Sequence, residues 1–67
     1  MDWIIETHDE RTGRTGQRRF ETEAAFISAA QDVLEDLWQR FIAATLPDGT
    51  MLDEEKLRQR IPRRDHR

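Results

Sequence analysis

The stretch Thr22–Leu46 constrains this chain most, because its apolar residues recur with the period of an amphipathic helix. At about 100° per residue, Phe26, Ile27, Ala30, Val33, Leu34, Leu37, Trp38, Phe41 and Ala44 fall within an arc of roughly 140°. Ser28, Gln31, Asp32, Glu35, Asp36, Gln39 and Arg40 fill the opposite side. The spacing predicts one long helix over Thr22–Leu46, with Leu37 in its buried face, so that Leu37→Asp should unfold the protein by burying an unpaired charge. A face that broad needs a sheet, a second helix or another chain to lie on.

The rest of the chain supplies short elements. Trp3–His8 reads as a strand with Trp3, Ile5 and Thr7 on one side. Residues 9–16 are polar, with Gly13 and Gly16 suited to a hairpin loop, and Gln17–Glu21 returns as a second strand anchored by Phe20. Thr22 is the expected N-cap of the long helix, and Leu46-Pro47-Asp48-Gly49 its end. Thr50-Met51-Leu52 can add a short extended segment. Asp53 then reads as the N-cap of a second helix ending at Ile61, with Leu52 and Leu57 stapled across its start. The expected fold is therefore α+β: an N-terminal β-hairpin packed on one long amphipathic helix, followed by a short C-terminal helix and a basic tail. Residues 1–61 form one hairpin–helix–helix domain in this reading, and residues 62–67 a mobile tail whose removal leaves the fold intact.

Size and charge narrow the function. Sixty-seven residues, with 36% hydrophobic and 37% charged, make a small core, and a chain of this size buries only about 60% of its unfolded surface. With no cysteine there is no disulfide and no thiolate metal site, which fits a reducing, cytoplasmic setting. No apolar run approaches the length of a membrane span, and Met1-Asp2-Trp3 lacks the basic start of a signal peptide. Charge is blocked along the chain: acidic over residues 1–10, basic over 11–20, acidic again over 21–55 with Arg40 the lone cation, and basic over 56–67. The net charge is −3, and ten of the eleven basic residues are arginine, which favours planar bidentate contacts.

Catalysis finds little support. Ser28 is the single serine, His8 and His66 are the histidines, and nothing in the pattern brings Ser28 beside His8. Thr7-His8-Asp9-Glu10 lacks a recognised metal-ligand spacing, and Thr12-Gly13-Arg14-Thr15-Gly16 lacks the spacing of a phosphate-binding loop. No catalytic residue, metal ligand or cofactor is therefore expected.

Binding remains, in two forms. A protein contact would use the acidic helix face, Asp32, Glu35 and Asp36, together with Trp38, against a larger protein or nucleoprotein assembly. A nucleic-acid contact would use Arg11, Arg14, Arg18 and Arg19 of the hairpin with Arg58, Arg60, Arg63 and Arg64 of the C-terminal segment, and its affinity would fall steeply with salt. One version is a small DNA-binding regulator, a ribbon–helix–helix-like dimer reading the major groove through Gln17, Arg19 and Glu21. The strand–helix–helix order matches, although the first helix is far longer than the second. Homodimerisation would also stabilise so small a core.

In size, lack of cysteine, patchy charge and the order of a Trp3–Glu21 hairpin before a Thr22–Leu46 helix, the whole chain resembles the short proteins carried by phages and other mobile elements, anti-CRISPR inhibitors among them. That resemblance implies a non-enzymatic inhibitor or modulator that binds a subunit of an effector complex and blocks DNA access or nuclease recruitment. It carries no functional residue position by position, because the group shares no common signature.

Overall fold

A computed structural model describes residues 2–61; Pro62–Arg67, including Arg63, Arg64 and the expected tail, lie outside the described residues. Strand β1 (Trp3–Asp9) pairs antiparallel with β2 (Arg14–Phe20) through the register Trp3↔Phe20 to Asp9↔Arg14. The hairpin loop is tighter than the glycines suggest. Gly13, at φ 72°, takes the positive-φ position and donates its N–H to the Asp9 carbonyl at 2.8 Å, while Gly16 lies inside β2 opposite Thr7.

Helix α1 (Glu23–Glu35) begins as the sequence predicts, with the Thr22 hydroxyl accepting the Ala25 N–H at 3.2 Å. It does not run to Leu46. Asp36 is extended (φ −84°, ψ 126°), and its Oδ1 accepts the Trp38 N–H at 2.8 Å. This short side-chain turn competes directly with helix propagation. Gln39–Thr45 then forms β3, which pairs antiparallel with the free edge of β1. The single long helix is thus corrected to a helix, a turn and a strand.

The physical reason lies in one residue. Glu6 pairs with Ala43 and Thr7 with Phe41, so Ile42 is an extra residue bulged out of β3. Phe41 and Ala44 both face the core across that bulge, three positions apart. A strand with this insertion has the same local spacing as a helix, and it continues the true helical period of Phe26, Ala30 and Val33 without a break.

The Leu46–Thr50 turn closes on Gly49 (φ 91°), with the Leu46 N–H donated to the Thr50 carbonyl at 2.8 Å. It leads into β4 (Met51–Leu52), which pairs with Ala44 and Thr45. Helix α2 (Glu54–Arg60) follows, capped by Asp53 through the Lys56 N–H at 2.8 Å. The sheet has the order β2-β1-β3-β4 and is antiparallel throughout. Two strands, β3 and β4, separate the two helices, so the strand–helix–helix order of a ribbon–helix–helix protein is absent among the described residues.

One core row runs across three strands, Ile5–Ala44–Leu52, and each of its members is buried. Phe26, Ala29, Ala30 and Val33 of α1 and Leu57 of α2 cover it, joined by Phe41, Leu46 and Ile61. Trp3 stacks on Phe26 with ring centroids 4.9 Å apart. Leu37, by contrast, is 91% exposed and takes no part in this cluster. Leu37→Asp should therefore leave the melting temperature within a few degrees of the parent. Phe26→Ala removes a fully buried ring, at a cost of about 3–5 kcal/mol. At about 4–8 °C per kcal/mol for so small a domain, its thermal midpoint should drop by more than about 12 °C. Circular-dichroism melts of both variants check this, and the reverse ranking would contradict the core described here.

Candidate interaction surface

Alternation along each strand decides what the sheet shows to solvent. Both helices pack on the face that carries Ile5, Phe41, Ala44 and Leu52. The other face presents the row Arg19–Ile4–Thr45–Met51, then Gln17–Glu6–Ala43, then Thr15–His8–Arg40. Side-chain contacts agree with these rows: His8 Nδ1 lies 3.1 Å from Thr15 Oγ1, and Arg19 pairs with Asp2 at 3.6 Å. Trp38 extends the β3 end, its carbonyl accepting the Glu10 N–H at 2.8 Å. Trp38, Arg40 and Ile42 accordingly line up along β3 on this uncovered face.

The face is divided. Its β2 side is polar, with Thr15, Gln17 and Arg19. Its β3–β4 side carries Trp38, Ile42 and Met51, exposed by 53%, 43% and 64%. Large apolar side chains left in water on one side of a sheet are a recognised signature of an interaction site. Trp38 stood out in the sequence, but as a neighbour of the acidic helix face. Ile42 and Met51 did not stand out, and the signal that could have found Ile42 is a β-branched residue lying off the helical stripe beside Phe41.

The remaining sequence-predicted residues are scattered. Asp32 and Glu35 are exposed on α1, in the helix layer, and each engages another group. Asp36 is held by the Trp38 N–H. The acidic face and Trp38 thus meet only at Asp36. Among the arginines, Arg11 pairs with Asp9 (3.7 Å), Arg19 with Asp2 (3.6 Å), Arg58 with Glu54 (3.2 Å) and Arg60 with Glu23 (3.3 Å). Arg60 also lies over the Trp3 ring and Arg18 over Phe20. Arg14 and Arg18 share the helix side of β2 while Arg19 projects from the other side, so the described arginines form no single basic surface.

A second feature lies at the far end of β3. A groove of about 270 Å³ is lined by Val33, Leu34 and Leu37 from the end of α1, Gln39, Arg40 and Phe41 of β3, Glu10, and Glu54 and Arg58 of α2. Two ion pairs, Arg40–Glu10 at 3.4 Å and Arg58–Glu54 at 3.2 Å, sit on its rim.

Among the described residues no group of three or more histidines, cysteines or carboxylates is arranged to hold a metal ion. Ser28 and His8 lie on opposite sides of the sheet, one on α1 and one on the uncovered face. No helix of the described residues is long and apolar enough to cross a membrane. No protein-family model, no curated protein and no solved structure matches the chain.

Among the described residues two carboxyls, those of Asp9 and Asp48, are held below the ordinary value of 3.8. Asp9 is lowered chiefly by the Arg11 backbone N–H, 2.8 Å from its Oδ1, with the Arg11 guanidinium adding to the effect. Asp48 is lowered by the Thr50 N–H at 2.9 Å. A depressed folded-state pKa stabilises the fold in full above the unfolded value and loses that contribution as pH falls through the folded one. Both turns should therefore hold unchanged down to about pH 4 and loosen only below it. NMR titration is expected to give midpoints under 3.8 for both carboxyls, tracked by the Arg11 and Thr50 amides; midpoints at or above that value would contradict these hydrogen bonds.

Proposed function

We propose that this protein is a small non-enzymatic binding module that acts by occupying the surface of a larger protein or nucleoprotein assembly, as an anti-CRISPR-like inhibitor or modulator would. The observation that carries the reading is the uncovered sheet face, on which Trp38, Ile42 and Met51 stand exposed along β3 and β4. Tryptophan and methionine are enriched where protein surfaces meet, and a central tryptophan often dominates the binding energy. Arg40, Glu6 and His8 beside them supply the polar partners that fix orientation. The separation of Ser28 from His8 supports a role without catalysis. A cysteine-free chain that works on such an assembly belongs in the cytoplasm.

The second reading, a small DNA-binding regulator, rests on Arg14 and Arg18, which form no ion pair with a carboxylate among the described residues. The pairing of Arg11, Arg19, Arg58 and Arg60 with carboxylates weighs against it, because each would have to exchange that partner for a phosphate.

Tagged protein recovered from the cells that carry it distinguishes the two. The parent is expected to retain a defined protein partner, the Trp38→Glu/Ile42→Glu double variant to lose it with an affinity drop of at least about tenfold, and Arg14→Glu/Arg18→Glu to keep it. Retention by the Trp38/Ile42 variant would overturn the assignment of the sheet face. Salt-steep binding of labelled duplex DNA that disappears in the Arg14/Arg18 variant would favour the regulator.

A further inference from the structure

The sheet ends on the β3 side before β3 itself does. β4 pairs only with Ala44 and Thr45, and the chain then turns away at Asp53 into α2. Among the described residues no strand pairs with Gln39–Ala43 on that side, so that part of β3 is an open edge, with Glu54 and Arg58 of α2 alongside it. Open edges present unpaired N–H and C=O groups and are templates for an added strand. Here the edge comes with a second feature, the groove of about 270 Å³ that Gln39 and Phe41 share with Val33, Leu34, Glu54 and Arg58. Leu37, 91% exposed, stands at its side as an apolar surface that no described residue covers.

We infer that this edge receives an extended segment of a partner protein, which adds to the sheet as a strand beside Gln39–Ala43 and seats one apolar side chain in the groove against Leu37. This deepens the proposed binding function and rests on it. Strand addition gives affinity through main-chain hydrogen bonds and specificity through alternate side chains, and the edge and groove together provide both. Charge sets the chemistry of the segment. Arg40 and Arg58 are each neutralised by Glu10 and Glu54. Asp36 and Asp53, next along the chain to the lining residues Leu37 and Glu54, are carboxylates whose contacts are backbone N–H groups. Residues flanking the seated apolar side chain are therefore basic.

A second copy is the competing occupant, since β2 is itself a basic edge strand. It fits poorly. From Arg14 to Arg19 it has no large apolar side chain to fill the groove, Gly16 weakens it as a strand, and Phe20 is already packed on the core. A β2-to-β3 contact would also be head-to-tail, giving a ring or an open chain rather than a two-fold dimer.

The test uses the whole chain labelled with 15N and three acetylated, amidated probe peptides: KVKLKVK, the acidic EVELEVE, and KVKPKVK, whose proline removes a ladder donor. KVKLKVK is expected to bind with a Kd tighter than about 1 mM and to shift the amides of Leu37, Gln39, Phe41 and Glu54, while the other two leave them in place. Leu37→Lys, an exposed change, is expected to weaken KVKLKVK by about fivefold or more through like-charge repulsion at an unchanged melting temperature. The inference is overturned if KVKLKVK produces no saturable shift, if its shifts fall on β2 or the uncovered face, or if EVELEVE binds equally. Concentration-dependent self-association abolished by Leu37→Lys would also overturn it, by giving the edge to a second copy. Trp38→Glu/Ile42→Glu is read on the native partner alone, because Ile42 lies within the strand that receives KVKLKVK. A partner that still depends on those two residues while KVKLKVK fails would remove the edge site and keep the functional reading.

Discussion

Pairing of β1 with β3 holds the rest of the protein in place. β1 is hydrogen-bonded along nearly its whole length on both edges, and its Ile5 anchors the Ile5–Ala44–Leu52 row on which both helices rest. Without β3, the hairpin would be a two-stranded ribbon, which is marginal in water. Without β1, β3 would have no template and the turn at Asp36 nothing to lead into. The helices contribute the second layer, but they do so by covering a sheet that this pairing creates.

The same pairing explains why the molecule has an open face. Turning Gln39–Thr45 from helix into strand widens the sheet to four strands while shortening α1 to thirteen residues. Two helices, one of them only seven residues long, then cover a single side. Among the described residues no further element covers the other. Trp38, Ile42 and Met51 are exposed as a direct consequence. The short β4 has a matching effect in the plane of the sheet, because it leaves Gln39–Ala43 of β3 without a strand neighbour on that edge. Surface and edge thus both follow from how β3 is paired.

Much of this was legible in the sequence wherever the signal is local. The Thr22 and Asp53 caps, the Leu46–Thr50 turn, α2 with its buried Leu57 and Ile61, and the hairpin follow from residues within a few positions of one another. β3 was not legible, because its bulge at Ile42 sets Phe41 and Ala44 three apart and imitates the helix that precedes it. The choice between the two depends on whether a long-range partner exists, and periodicity carries no information about that. The site shared this fate. Trp38 was visible as a large apolar residue at the edge of a stripe, yet its neighbours Ile42 and Met51 join it only through the strand register. The described arginines, which were conspicuous as blocks along the chain, end up on different surfaces, most of them paired with carboxylates.

The measurement that bears most directly on the uncovered face is the set of backbone 13C secondary shifts and inter-strand NOEs over Asp32–Leu46. Helical shifts should stop at Glu35 and extended shifts should begin at Gln39, with cross-strand NOEs linking Ile5 to Ala44 and Thr7 to Phe41. Unbroken helical shifts through Leu46, with no NOE to β1, would contradict the sheet, and with it the exposed row and the open edge.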